Sequence, residues 1–329
     1  MSPPRIFYLT PDYPVPSWGI GTLYHHVQML RERGFDARNL LPRKGLGPPA
    51  WLDIDVPIEG LDDPDLTFRE DDVVVVPEVM AHEDMPRALP CRRVVFVQGS
   101  FLMLLNMPDA VDYTTLGYET AMAALPHIGD IIANHFGVEP YVVPPFIAPY
   151  FFADATELSA PRDRRLILIG KPEYLKAGYL DYDIAQKVLR RQIKRIADRG
   201  GPNWELVEPS GLSHQDFAAL LRRSALMLNV NTLESFNASV PEAMAAGCIA
   251  TCYEAYGGQD FLRSGVNAHV WPNNYIYPLL SQLVDLIEHY DARAEELAAM
   301  RTAAAETAGK FRQEQTADAL EKMFRALIG

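Results

Sequence analysis

The sequence predicts an α/β protein of two consecutive Rossmann-like domains, and three observations carry that prediction. Short apolar runs alternate with helical periodicity through both halves of the chain, the rhythm of a parallel sheet. A proline-rich stretch interrupts the rhythm near the middle. The 329 residues also exceed what one core spans, since single cores rarely grow much beyond roughly 250 residues.

The first run, Ile6-Phe7-Tyr8-Leu9, reads as a strand and is followed by helical periodicity over about 22–33 and a second strand near 37–41. Arg31-Glu32-Arg33-Gly34 closes that helix, with basic residues in its last turn and glycine just past it. Strands are expected at 73–76 and 94–97, and helices at 118–125 and 128–136. Tyr141-Val142-Val143-Pro144-Pro145-Phe146-Ile147-Ala148-Pro149 cannot be helix, because proline lacks the N–H donor and forces its predecessor into extended geometry. It marks the crossing between a domain over 1–145 and a second that starts at 146.

The rhythm then restarts. Strands are expected at 165–170, 204–207, 225–230 and 249–252, with helices at 182–197, 214–223 and from 241–246. The last thirty residues read as helix throughout, with Phe311, Leu320, Met323, Phe324 and Leu327 forming an apolar stripe. The cleft between two such units is the expected ligand site.

Composition narrows the function classes. A formal charge of -13 opposes accumulation on nucleic acid or anionic lipid. The three cysteines, Cys91, Cys248 and Cys252, have no metal-type spacing and read as reduced core thiols in a cytoplasmic setting. The apolar run in MSPPRIFYLTPDY is too short for a signal segment, and no stretch approaches the roughly 18 apolar residues of a membrane span. A cytoplasmic location is therefore expected. His25, His26, His127, His135, His214 and His269 show no ligand spacing with Cys, Asp or Glu, so no metal site and no cofactor are expected.

The segment with the most chemistry is Glu234-Ser235-Phe236-Asn237-Ala238-Ser239-Val240-Pro241-Glu242, directly after the apolar strand at 225–230. Pro241 suits the first position of a helix, and the loop before it can aim free backbone donors at an anion. The carboxylates would accept hydrogen bonds from sugar or ribose hydroxyls. Phosphate and hydroxyls together describe a nucleotide sugar. Spacing alone leaves open that both are acids favoured near a helix N-terminus.

Glu234 and Glu242, separated by seven residues and followed by Ala243-Met244-Ala245-Ala246-Gly247, resemble the paired-glutamate signature of retaining GT-B glycosyltransferases of family four, the glycosyl transferases group 1. The resemblance implies the GT-B fold, two Rossmann-like domains facing across a cleft. The domain at 1–145 would take the acceptor side, that at 146–310 would bind the nucleotide sugar, and a helix over 311–329 would return to the N-terminal domain. It assigns the donor sugar to Glu234 and the nucleotide ribose to Glu242, with Ser235, Phe236, Asn237 and Ala238 lining the donor site. The family usually has glycine where Ser235 and Asn237 stand here.

Gly170-Lys171-Pro172-Glu173-Tyr174-Leu175-Lys176 resembles the family's Gly-Arg-x4-Lys pattern, with lysine in place of arginine at Lys171. Two cations at a strand's end can neutralise a diphosphate leaving group, though lysine cannot grip it bidentately. Spacing alone also allows solvated loop lysines. Ser17-Trp18-Gly19-Ile20-Gly21-Thr22 reads as a glycine-rich turn between the first strand and helix, resembling the family's N-terminal loop; Gly19 and Gly21 are placed in the donor site. Gln98, ending the strand Val94-Val95-Phe96-Val97, stands where the family has a cleft-facing polar residue, as an acceptor or sugar contact or a surface amide.

Gly257, Gly258 and Gly265 read as structural turns. The basic face Arg190, Arg191, Lys194 and Arg195 reads as a solvated helix surface, with peripheral membrane contact as its other use.

The implied activity is retaining, metal-independent transfer, hexosyltransferase-like, from a UDP- or GDP-type sugar to the hydroxyl of a glycan, a lipid-linked molecule or a small molecule. Lys171, Lys176 and Glu234 would be the catalytic residues. Two other readings stay open: a non-catalytic nucleotide-sugar-binding partner subunit, and a transferase that modifies nucleic acid or protein. An epimerase finds no matching motif.

Overall fold

The computed structural model describes residues 3–13, 17–107, 109, 111–170 and 178–329. The chain divides into two compact units, Met1–Pro145 with Glu314–Gly329, and Phe146–Gln313.

The first unit runs β1 (Arg5–Leu9), α1 (Trp18–Glu32), β2 (Asp36–Leu41), β3 (Ile58–Gly60), β4 (Val73–Pro77), α2 (Asp84–Ala88), β5 (Arg92–Val97), α3 (Ser100–Asn106), β6 (Thr120–Ala123), α4 (Pro126–His135) and β7 (Pro140–Val142). These strands form one parallel sheet in the order β3-β2-β1-β4-β5-β6-β7. Val73, Val74, Val75 and Val76 are fully buried, which is why β4 reads as an unbroken apolar run and not as an alternating one. Gly34 closes α1 with φ +86°, a left-handed conformation that lets the Phe35 N–H reach the Leu30 carbonyl at 3.0 Å.

The helix expected at 118–125 is instead strand β6. Alanine, methionine and leucine favour helix in isolation, but Ala121, Met122 and Ala123 pair with β5 on one side and β7 on the other. A fully buried strand shows no alternation, so periodicity could not separate the two outcomes.

The second unit runs α5 (Ala155–Ser159), β8 (Asp163–Ile169), α6 (Gly178–Asp198), β9 (Glu205–Val207), α7 (His214–Arg223), β10 (Ser224–Asn229), α8 (Ser239–Ala245), β11 (Ile249–Tyr253), β12 (His269–Trp271), α9 (Ile276–Glu288) and α10 (Ala294–Ala308). Its parallel sheet has the order β12-β11-β10-β8-β9. One core joins Leu166, Leu168, Leu226 and Leu228 of the sheet to Leu189 of α6 and Leu279, Leu283 and Leu286 of α9. The basic face of α6 is partly neutralised by pairs: Arg190 with Glu208 at 2.5 Å and Lys194 with Asp198 at 2.8 Å. Among the described residues no helix is long and apolar enough to cross a membrane.

The final segment is not one continuous helix. After α10 a 3-10 turn, Gly309–Phe311, and an extended Arg312 precede α11 (Gln313–Ile328). The chain rejoins the first unit at Glu314 and not at 311. Phe311 therefore leaves the apolar stripe expected of it: its ring packs on Phe236 at 5.0 Å and Phe261 at 5.4 Å, inside the second unit. The rest of the stripe packs on the first unit, with Leu320, Met323 and Phe324 buried and Phe324 6.3 Å from Phe35. Arg33 adds ion pairs to Asp318 and Glu321, both at 2.6 Å.

Each sheet has a place where strand order reverses. In the first unit β1 lies beside β4, and in the second β8 lies beside β10. Open α/β sheets bind ligands outside the carboxyl ends of the strands at such a reversal.

Candidate functional site

In the second unit the reversal brings together the segments after β8 and β10, because Ile169 pairs with Asn229 at the strand ends. Gly170 follows one strand, and the Glu234 loop follows the other. A methyl group on Gly170 would lie 2.3 Å from a ring carbon of Tyr182, so the strand end can pass the aromatic ring only as glycine. Tyr182, Gln186 and Arg190 all donate to Glu208, at 2.8, 2.5 and 2.5 Å. Burial works to raise the Glu208 carboxyl, but these three donors outweigh it and hold the group below its ordinary range. Lys171 and Lys176 lie outside the described residues.

Asn229 organises the Glu234 loop. It is a buried polar residue ending the apolar run 225–228, and its amide forms a reciprocal pair with Asn237, at 2.9 Å and 3.2 Å. It also donates to the Ser239 hydroxyl at 2.8 Å and accepts from the Asn231 N–H at 2.9 Å. Sequence reasoning passed over Asn229; its signal was a lone amide in the run Leu226-Met227-Leu228-Asn229.

The Asn237 backbone has φ +51°, in the left-handed region where glycine is at ease and asparagine is the best tolerated alternative. The departure from glycine thus keeps the backbone shape and adds the side-chain lock to Asn229. Ser235 is buried beside it. The Phe236 ring is buried against Phe261 and Phe311, so this residue supports the loop from beneath.

Glu234 is partly exposed, and its carbonyl accepts the Tyr256 N–H at 3.2 Å. Ala238 precedes α8, which starts at Ser239, so Pro241 is its third residue and not its first. The helical turn is already set when proline arrives, and proline is tolerated because N–H groups of the first turn need no intrahelical partner. Glu242 follows on the same turn. The residue keeps some surface exposure, yet burial of its carboxyl pushes it up to about 7. Among the described residues no donor reaches that carboxyl, and the charge it carries raises the neighbouring Tyr150 hydroxyl further, after burial.

In the first unit Gly19 and Gly21 are not in a turn before the helix. They are the second and fourth residues of α1, with Gly21 N–H bonded to the Ser17 carbonyl at 3.0 Å. Close approach does not require them: a methyl on Gly19 would lie 3.5 Å from the Gln98 amide and one on Gly21 3.7 Å from the Trp51 ring, both ordinary van der Waals contacts. The Gln98 amide donates to the Gly19 carbonyl at 3.2 Å, while its own oxygen is buried without a partner among the described residues. Gln98 is thus held against the start of α1.

The remaining residues singled out by sequence serve the structure. Cys248 and Cys252 are buried free thiols pushed up to about 12 by burial, and Cys91 is pushed up to about 11. His26 stacks on Phe96 at 5.1 Å in the core, where burial lowers it to about 3. Gly258 packs against Leu262, and Gly265 turns the chain with φ +75°. Among the described residues no group of three or more His, Cys, Asp or Glu is placed to hold a metal ion.

Residues 184–322 match the family model described as glycosyl transferase-like. No curated protein matches the chain in sequence. Among solved structures, the chain is similar to a glycosyltransferase from Rickettsia africae ESF-5, at 11% identity over 99% of both chains with a TM-score of 0.67. It is also similar to sucrose-phosphate synthase from Thermosynechococcus elongatus, at 11% identity over 98% of this chain and 99% of that one, with a TM-score of 0.68. Anabaena HepE in complex with UDP gives 13% identity, 98% and 100% coverage, and a TM-score of 0.64. At such identities the likeness is one of fold. The chain has the GT-B fold, two parallel-sheet α/β units, with a glycosyl transferase-like segment from 184 to 322.

Proposed function

We propose that the protein is a retaining glycosyltransferase that moves a sugar from a nucleoside-diphosphate donor to an acceptor hydroxyl without a metal ion. The observation that carries this reading is Glu242: a carboxyl that burial pushes up to about 7, with no donor among the described residues, in α8 just past the loop that follows β10 at the reversal of the sheet. Its oxygens accept from no described donor, and ribose hydroxyls would supply hydrogen bonds that the fold does not. The family-model match over the same segment supports it.

In this reading Glu242 holds the ribose and Glu234 orients the donor sugar. Lys171 and Lys176 balance the charge that develops on the diphosphate. The bond from the anomeric carbon to the diphosphate breaks, and the acceptor oxygen bonds to that carbon on the same face. The acceptor's proton passes to the departing phosphate oxygen, so no side-chain nucleophile is required. The UDP held by Anabaena HepE makes UDP-sugars the first donors to test.

A thermal-shift panel of nucleoside diphosphates and their sugars tests the donor site, since a ligand at 100 times its dissociation constant stabilises by about 2.7 kcal/mol. No shift with any UDP or GDP compound overturns the reading. Binding without release of nucleoside diphosphate, whatever the acceptor supplied, favours a non-catalytic binding subunit instead.

A further inference from the structure

At the reversal of the first unit's sheet, the chain leaving β4 begins a 3-10 turn with Glu78. Glu78 is only 5% exposed, although glutamate is rarely buried without a cation. One oxygen of its carboxyl accepts the N–H groups of Gln98 at 3.2 Å and Gly99 at 3.0 Å, where β5 turns into α3. The side chain of that same Gln98 donates to Gly19 in the first turn of α1. Three segments that follow β1, β4 and β5, adjacent strands of the sheet, are thereby joined through one carboxyl group and one amide.

We infer that Glu78 is a positioning residue: its carboxylate holds the Gln98–Gly99 turn, and through that turn it sets the Gln98 amide against the start of α1. A merely apolar residue would fill the space, but it would leave two N–H groups without their acceptor. A carboxylate makes both bonds charge-assisted, about twice as strong as neutral ones.

The clamp is therefore sensitive to protonation. Burial pushes the Glu78 carboxyl up to about 7, against the opposing pull of the backbone N–H groups of Glu78, Gly99 and Gln98. The groups packed around it do not compensate. α3 carries no titratable side chain. Arg92 and Arg93 stand at the opposite end of β5, bonded to Glu119 and to the Gly117 carbonyl. Among the described residues the Tyr113 hydroxyl, buried and without a partner, is a titratable neighbour, and it is raised by burial and then by Glu78. The proton on Glu78 weakens both bonds to the turn without deleting them.

The consequence for transfer rests on the glycosyltransferase reading, whereas the clamp does not. The test uses the full-length 15N-labelled protein, following the Gly99 backbone amide and the Gln98 side-chain amide by NMR across neutral pH. The Gln98→Met variant identifies the side-chain pair by its disappearance. Both resonances are expected to move on one titration curve, and both to stay still in Glu78→Gln, which keeps the oxygen acceptor and loses the charge. Movement of Gly99 alone, with Gln98 unaffected, overturns the inference and leaves Glu78 as a local cap.

Should Glu78→Gln fail to fold, Glu78→Asp withdraws the carboxylate by one methylene and is expected to uncouple the two resonances. Persistence of a shared curve in that variant overturns the inference equally. UDP release from UDP-glucose should then fall about fivefold in Glu78→Gln on the alkaline side and match wild type on the acid side. Absence of any UDP release by the wild-type protein counts against the transferase reading, while the resonances still decide the clamp.

Discussion

Glu78 in the first unit and Glu242 in the second occupy comparable places, each following a strand at the reversal of its parallel sheet, and burial pushes both to about 7. Their surroundings differ. Glu78 is met by two backbone N–H groups, so its demand for donors is answered inside the fold. Glu242 is met by none among the described residues. Burial alone marks a carboxyl as unusual; the hydrogen-bond count around it separates a group tied into the fold from one whose oxygens meet no described donor.

The strongest way to probe the comparison is to remove what supports the second unit's loop from below. Phe311→Ala deletes one ring of the Phe236–Phe261–Phe311 cluster and should cost about 3–5 kcal/mol, read as a lower midpoint in denaturant unfolding. UDP affinity should fall with it, because Phe236 carries the loop between Glu234 and Glu242.

Glu242→Ala comes next. It should weaken UDP binding by about 10- to 100-fold, the worth of hydrogen bonds to a charged acceptor, in isothermal titration. Glu78→Gln should leave UDP affinity unchanged. Equal losses in the two variants would erase the distinction drawn between them.

Asn237→Gly and Asn237→Ala separate backbone from side chain. Alanine at φ +51° adds about 1–2 kcal/mol of left-handed strain to the lost Asn229 pair, whereas glycine loses the pair alone. The alanine variant should therefore melt lower than the glycine variant; the reverse order would show that the left-handed conformation carries no strain at this position.

The smallest effect is on pH-dependent stability. Both carboxyls are raised by burial, so the folded protein binds their protons more tightly than the unfolded chain does. Their contribution is present in full below the ordinary glutamate pKa of about 4.3 and is lost as pH rises through about 7. A Glu78→Gln/Glu242→Gln double variant should show a flatter melting temperature than wild type over that window. In the proposed reading donor affinity runs the other way: ribose hydroxyls would prefer the Glu242 carboxylate, so UDP should bind more tightly as pH rises through 7.

The two units were unequally legible. Most of the second unit's candidate site lies in one stretch, from Asn229 to Gly247, where spacing in the sequence is spacing in the site, and Gly170 joins it from the end of β8. The first unit's is spread over Gly19, Glu78 and Gln98, on three strand ends that only the parallel sheet makes neighbours. Glu78 drew no notice in sequence, because a glutamate after Val-Val-Val-Val-Pro looks like any solvent-facing residue beyond a strand.

The sequence by itself determined the two α/β units, the crossing at Pro144-Pro145 and the paired acids, because periodicity, proline geometry and short-range spacing are local properties of the chain. The tertiary structure decided the rest. It made 120–123 a strand by offering partners on both sides, detached Phe311 from the final helix by giving its ring two aromatic neighbours, and drew Gly19 into the first turn of α1. It also decided which buried carboxyl has donors and which has none, since desolvation and hydrogen bonding depend on groups far apart in sequence that folding brings within about 3 Å.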